Sequence, residues 1–136
     1  MTIKTFSLNT NTGSKDTTTG KWRYVSFDIP NINVENGAIM SITNVAHDGN
    51  ATNTIIRIKD ISYNSSLYYS SDGSCPVLFA GNLASNNMPV FKQNIMTLNK
   101  QSLNYLTFYI SDSITNLDSG VANGVNLIIN IQIEEY

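Results

Sequence analysis

The chain is short of the residues that most enzymes and metal sites use. Its 136 residues contain one cysteine, one histidine and only 13% charged side chains. With Cys75 alone, no intrachain disulfide can form, so stability has to come from packing. A zinc site needs several His, Cys or carboxylate ligands that converge, and no such set can be drawn from this sequence. These shortages predict a protein with no catalytic residues, no bound metal and no cofactor.

The single histidine and the single cysteine lie in segments typical of ordinary structure. His47 begins the tetrapeptide His-Asp-Gly-Asn at 47–50, whose composition is typical of a turn, so its side chain is expected to face solvent. Cys75 lies between Ser74 and Pro76 and is expected to be a half-buried structural thiol. A cysteine nucleophile would need a histidine partner, and only His47 is available for that role.

Charged residues are too sparse for a nucleic-acid interface. Eight Lys and Arg residues are spread along a chain of net charge −2, whereas neutralising phosphates requires a clustered basic face. No apolar run approaches the roughly 20 residues of a membrane-spanning helix, and the N-terminal residues do not resemble a signal peptide. We therefore expect a soluble chain with neither a nucleic-acid partner nor a membrane span.

The sequence does contain apolar residues that alternate with a period of two, which is typical of strands with one face in a core. The strongest case is the last segment, where only Ile128 departs from the pattern. A second long strand is predicted over 103–111. The inward residues are predicted to be Val125, Leu127, Ile129, Ile131 and Ile133 in the last strand, and Leu106, Phe108 and Ile110 in the earlier one.

Shorter strands are predicted over 2–8, 21–29, 38–46, 54–62, 76–80 and 95–98, with 63–70 continuing a sheet as a polar edge. Pro30 is expected to end the strand over 21–29 because it has no amide proton to donate to a ladder. Residues 9–20 are predicted to form a polar linker, and Asn36-Gly37 a turn. The first eight residues have two possible partners, their own sheet or a neighbouring subunit.

Eight or nine short strands without helical periodicity predict an all-β fold. The strand count favours a single jelly-roll β-sandwich of about eight antiparallel strands, formed by one domain over residues 1–136. An immunoglobulin-like Greek key is the alternative topology.

Four aromatic residues on the predicted strands are candidate contact residues: Trp22, Tyr24, Tyr105 and Tyr109. The alternation places each of them opposite the apolar face of its strand, so all four rings are expected to point outward. Exposed aromatic rings can stack on sugars, and Tyr and Trp are also enriched in subunit interfaces. Both uses remain open for these four residues.

The polar surface favours assembly. About a third of the residues are Asn, Ser or Thr, and solubility through net charge usually needs a stronger imbalance than −2. Faces of this kind suit packing between proteins over large areas. The loops expected to make such contacts are 9–20, 70–75, 83–89 and 112–124.

Two segments carry a resemblance to a known family. Residues 103–113 (LNYLTFYISDS) and 125–135 (VNLIINIQIEE) resemble the closing strands of the small single jelly-roll capsid proteins of large DNA viruses. In that family a penultimate strand ends in a short Asp-Ser or Asp-Gly turn, and the final strand ends in acidic residues. Residues 27–30 (FDIP) and 58–63 (IKDISY) are similar in style.

The resemblance implies a structural, non-catalytic capsid component, either a minor capsid protein or a penton-type vertex subunit. It implies a homo-oligomer, a pentamer or a trimer, that contacts other capsid proteins in the virion and assembles in the host cytoplasm. The alternative is a non-catalytic binding module, either a glycan-binding β-sandwich or a receptor-binding tip.

Overall fold

A computed structural model of the chain describes residues 1–18, 20–48, 53–66, 75–82, 87–89, 94–113, 120–122 and 125–136. Within these residues the chain is all-β, with no helix and twelve strands. The strands are β1 (Thr2–Asn9), β2 (Ser14–Thr18), β3 (Lys21–Val34), β4 (Ile39–Asp48), β5 (Asn53–Lys59), β6 (Tyr63–Ser66), β7 (Val77–Asn82), β8 (Asn87–Pro89), β9 (Ile95–Leu98), β10 (Gln101–Ser111), β11 (Val121–Ala122) and β12 (Asn126–Glu135).

Eight of these strands form a jelly roll, as the sequence predicts. When the eight strands are taken in chain order, the first (β1) pairs with the last (β12), and the second (β3) pairs with the second-last (β10). In the same way the third (β4) pairs with the sixth (β9), and the fourth (β5) pairs with the fifth (β7). All of these pairs are antiparallel. Folding this ribbon over on itself produces two sheets, ordered β1-β12-β4-β9 and β3-β10-β5-β7, which is the double Greek key of a jelly roll.

The four short strands extend the two sheets. In the first sheet, β6 pairs with β9 and β8 pairs with β4. In the second sheet, β2 and β11 both pair with β3. The prediction of about eight strands therefore describes the jelly roll itself, and the additional strands decorate its edges. Residues 63–70 were expected to form a polar edge; residues 63–66 do so, and residues 67–70 lie outside the described part of the chain. Asn36-Gly37 forms the expected turn between β3 and β4.

The core lies between the two sheets. The predicted inward residues of β12 and β10 are buried, except Val125, which precedes β12 and is half-buried. The aromatic rings of Phe27 and Phe108 meet edge to face with centroids 6.2 Å apart. Burying a side chain of this size contributes roughly 1.5–3 kcal/mol relative to leaving it in water. The largest fully buried side chains are Trp22, Phe108, Met40, Ile42, Ile56, Ile58, Leu78, Met96, Leu98, Ile110 and Leu127.

The prediction that Pro30 ends its strand is wrong. Strand β3 continues through Pro30 to Val34 and pairs with β10 on both sides of the proline. The pairing passes from Asp28↔Tyr105 to Ile32↔Leu103, so β3 advances four residues while β10 advances two. Pro30 lies inside this irregular segment, where no regular ladder bond requires its missing amide proton.

The prediction that Trp22 faces outward is also wrong, because its side chain is 0% exposed. The pairing of β2 with β3 explains why. It passes from Lys15↔Val25 to Thr17↔Trp22, so β3 carries one extra residue between Trp22 and Val25. A one-residue bulge reverses the alternation of a strand. Trp22 and Val25 consequently share the core-facing side.

Four further expectations need correction or refinement. The segment 9–20 is not a linker throughout, since β2 forms within it and Asp16 is ion-paired with Arg23 of β3 at 2.8 Å. His47 lies in β4 rather than in a turn, and it is buried, not solvated.

The first residues form β1 and pair with β12 of the same chain, from Thr2↔Glu135 to Asn9↔Ile128. Cys75 forms no disulfide and is buried rather than half-buried.

Candidate functional site

Three of the four aromatic candidates share the outer face of the second sheet. In the strand register Tyr109 lies opposite Tyr24, and Tyr105 lies on the same side of β10, opposite Asp28. The rings of Tyr24 and Tyr109 meet edge to face, with centroids 5.8 Å apart and an interplanar angle of 87°. Tyr24 and Tyr109 are half-buried, whereas Tyr105 is 44% exposed. We call these three residues the tyrosine face.

Two cations of β5 lie against Tyr109. Arg57 is its register partner, and the guanidinium carbon lies 5.1 Å from the ring centroid. The ammonium nitrogen of Lys59 lies 5.4 Å from the same centroid. A hydrogen bond to Tyr109 raises the pKa of Lys59 above its ordinary value, and the charges of Tyr109 and Asp60 act in the same direction. The ring of Tyr109 is therefore already in contact with two charged side chains.

The fourth candidate, Trp22, is separated from this face. It lies in the core, and the ammonium nitrogen of Lys15 is 4.9 Å from its ring centroid. Arg57 and Lys59 were not among the predicted site residues. The signal for them was the alternation of β5, where Arg57 and Lys59 fall on one side of the strand and Ile56 and Ile58 on the other.

A second candidate surface is the open edge of the first sheet. Among the described residues, β1 pairs with β12 only, so its other side has no partner strand. The amide of Thr10 donates to the Leu127 carbonyl at 2.9 Å. Since antiparallel pairs alternate between bonded and non-bonded, the amides of Ile3, Thr5 and Ser7 point away from β12. Their side chains are all exposed, and Ile3 is 49% exposed.

This edge lacks the usual protection. Natural edge strands are commonly blocked by proline, by charged residues or by being very short. Strand β1 spans eight residues, contains no proline, and carries Lys4 as its one charged residue. The Lys4 ammonium is 2.6 Å from the Glu135 carboxylate, so that charge is partly neutralised. The open side of β1 is thus suited to pairing with a strand of another molecule.

A third candidate is a cavity of about 240 Å³ at one end of the first sheet, where β1, β12 and β4 lie side by side. Its described lining includes Asn9 and Asn11, Ala46 and His47, and Asn126 and Ile128. His47 is 8% exposed, and its Nε2 atom has no hydrogen-bond partner. Nothing in the sequence singled out this cavity, because its residues come from three distant segments.

The described residues give no sign of a metal centre or a membrane helix. No group of three or more His, Cys, Asp or Glu side chains in the described ranges is placed to hold a metal ion. None of these residues belongs to a helix long and apolar enough to cross a membrane. The candidate sites described above are therefore built from amides, aromatic rings, backbone groups and a few cations.

The strand pairing defines the class of this protein as a jelly-roll β-sandwich, and comparison with known proteins adds little to that. No family model and no curated protein matches the chain. Among solved structures it is similar to a Burkholderia pseudomallei antigen and type I fimbria protein, at 12% identity and a TM-score of 0.38, over 99% of this chain and 100% of the other.

Two viral structures are also similar. They are those of infectious bursal disease virus strain Gt, at 10% identity and a TM-score of 0.29, and strain Gx, at 12% and 0.27. Each similarity covers 96% of this chain but only 31% and 32% of the respective viral chain. TM-scores this low do not establish a common fold, so the class rests on the strand pairing alone.

Proposed function

We propose that the protein is a structural, non-catalytic component of a viral particle, a minor capsid or vertex (penton) subunit. It assembles by symmetric self-association, as a pentamer or a trimer, and by contacts with other capsid proteins. Assembly takes place in the host cytoplasm and the protein resides in the virion. The observation that carries the proposal is the open edge of β1 in a jelly-roll domain.

The edge supports self-association for a physical reason. An unpaired strand presents a row of backbone donors and acceptors, and a strand from another molecule can satisfy them. In a ring of three or five subunits each contact is head to tail, so the edge of one subunit meets a different surface of the next. Of the loops expected to make contacts, 70–75, 83–89 and 112–124 lie largely outside the described residues, and 9–20 contains β2.

The test is the solution mass of the purified chain, measured by light scattering across a dilution series. The monomer has a mass of 15.0 kDa. We expect a discrete species of three or five subunits that persists on dilution. A monomer at every concentration would contradict the self-assembling subunit. It would leave a capsid role that depends on other capsid proteins, and it would favour the binding-module alternative.

The alternative is a binding module that uses the tyrosine face, and one observation favours it. Tyr105 is 44% exposed and lies on the same side of β10 as Tyr109. Tyr24 and Tyr109 contact each other, however, and Tyr109 also contacts two cations, which leaves a single open ring. If this face binds glycans, Tyr105→Ala abolishes binding on a glycan array and leaves the oligomeric mass unchanged. If the face lies in an interface, the same substitution reduces the mass.

A further inference from the structure

We propose that the ion pair between Lys4 and Glu135 decides whether the open edge of β1 accepts a strand from a second copy of the chain. This inference rests on the proposed function, in which that edge joins the subunits, and it names the residues that control the contact. An uncompensated charge on Lys4 blocks the edge, and Glu135 removes the block.

Lys4 lies on the core-facing side of β1. Its register partner on β12 is Ile133, whose side chain is 0% exposed, and Leu8 on the same side of β1 is also buried. A charged side chain that points inward is one of the devices by which natural proteins keep an edge strand from pairing, because an added strand would bury the charge. Lys4 by itself would therefore protect this edge.

Glu135 determines where that charge lies. The Lys4 ammonium donates to the Glu135 carboxylate at 2.6 Å and to the Asn33 carbonyl oxygen of β3 at 3.4 Å. Glu135 belongs to β12, which lies on the opposite side of β1 from the open edge. The ion pair consequently draws the ammonium away from the place that an added strand would take.

An added strand would cover the ion pair further. The side chains of Lys4 and Glu135 are 31% and 15% exposed, so the pair is already partly shielded from water. In an antiparallel contact at the open edge, Thr5 forms a hydrogen-bonded pair and Lys4 a non-hydrogen-bonded one, in which facing side chains come closest. Without Glu135, the ammonium either extends into water across the open edge or is buried alone, and both outcomes oppose the contact.

A simpler role for the ion pair is to hold β1 against β12, and the two roles predict different results. If the pair only holds the strand, the loss of either residue weakens assembly to the same extent, and the loss of both does not restore it. If Lys4 is the obstacle and Glu135 compensates for it, removal of Lys4 rescues a chain that has lost Glu135.

The experiment measures the mass of the full chain by light scattering across a dilution series for Glu135→Gln, Lys4→Met and the double variant. Both substitutions keep the approximate size of the side chain and remove its charge. We expect Glu135→Gln to raise the dissociation constant of the subunit contact by roughly thirtyfold or more. Lys4→Met and the double variant should stay within about threefold of the unaltered chain.

A matched control removes the same charge elsewhere. Glu35 is an exposed residue that follows β3, and Glu35→Gln should leave the contact unchanged. Circular dichroism of each variant during urea unfolding verifies that its fold is retained.

The outcomes separate this inference from the proposed function. The control by the ion pair is overturned if Glu135→Gln assembles as the unaltered chain does, or if the double variant is as weak as Glu135→Gln. If the unaltered chain is itself monomeric at every concentration, self-association fails and the control by the ion pair fails with it. An unaltered oligomer whose mass none of these variants changes overturns the control by the ion pair alone.

Discussion

Trp22, the single tryptophan of the chain, is a core residue with a cation above its ring. Its side chain has no exposed surface, and the Lys15 ammonium lies 4.9 Å from the ring centroid. Alternation along the segment 21–29 predicts the opposite orientation, because Trp22 is three residues from Val25 and the two should face opposite ways. The bulge between them is a property of the β2–β3 pairing, which a period-two pattern on one strand does not contain.

The burial of Trp22 leads to a prediction about stability. Trp22→Ala should lower the free energy of unfolding by about 3–5 kcal/mol, since it empties a large volume in the core. Tyr105→Ala, at a ring that is 44% exposed, should change it by about 0.5 kcal/mol or less. Urea unfolding followed by circular dichroism compares the two variants. Equal and small effects would contradict the buried position of Trp22.

Gly120 occupies another position where a single residue matters. Its φ is +73°, and a Cβ added there would overlap the backbone carbonyl of Trp22. Its own carbonyl accepts from the Asp112 amide at 3.1 Å, which ties β11 to the end of β10. A side chain at this position therefore meets both an unfavourable backbone conformation and a steric conflict with the strand that carries Trp22.

Gly20 provides the matched control for that site. It has the same φ of +73°, but a Cβ there meets no atom within 4 Å. Gly20→Ala should cost only the conformational penalty of roughly 1–2 kcal/mol. Gly120→Ala should cost that amount plus about 1–3 kcal/mol for the overlap. Tryptophan fluorescence during urea unfolding measures both values, and equal losses would mean that the strand next to Gly120 moves aside freely.

At the scale of the secondary-structure elements, a strand was predictable where the burial of one of its faces is the only cause of its alternating apolar residues. Strand β9 has the predicted bounds, and β10 and β12 bury the predicted residues. Strand β3 departs from its prediction at Trp22 and at Pro30, and both departures lie at shifts in its register with β2 or β10. Strand β2 was missed because Ser14–Thr18 contains no apolar residue. Strand β2 forms because it pairs with the edge of β3, and this contact is a tertiary feature that the residues of β2 alone do not reveal.

The open edge of β1 leads to a prediction of its own. Ser7→Pro removes an amide that points away from β12, so the β1–β12 ladder should survive, at a cost of about 1 kcal/mol or less. If the edge is used in assembly, the variant should be monomeric in light scattering. Ser7→Ala keeps the amide and should retain the oligomer. An oligomer that persists in Ser7→Pro would show that the Ser7 amide is not needed for the interface.

At the scale of the whole molecule, the outward orientation of Tyr24, Tyr105 and Tyr109 was predictable. The pairing of β3 with β10, which joins the three rings into one face, was not predictable, and neither was the cavity at His47. Each tyrosine follows the alternation of its own strand, so their orientation depends on local patterns. The cavity combines residues from the first turn, the end of β4 and the start of β12. Only the pairing of the first strand with the last brings these segments together, and no sequence-local signal reports on that pairing.

Assembly should also be visible in the thermal stability of the molecule. A partner that binds only the folded state stabilises it, so the midpoint of unfolding of a self-associating chain rises with its own concentration. We expect the Tm of the unaltered chain to increase over a hundredfold range of concentration. The Tm of Ser7→Pro should stay constant over the same range, because the variant keeps the core but lacks the edge donor. A concentration-dependent Tm in both proteins would show that the Ser7 amide is not part of the contact through which the subunits join, and would leave the amides of Ile3 and Thr5 as the remaining donors on this edge.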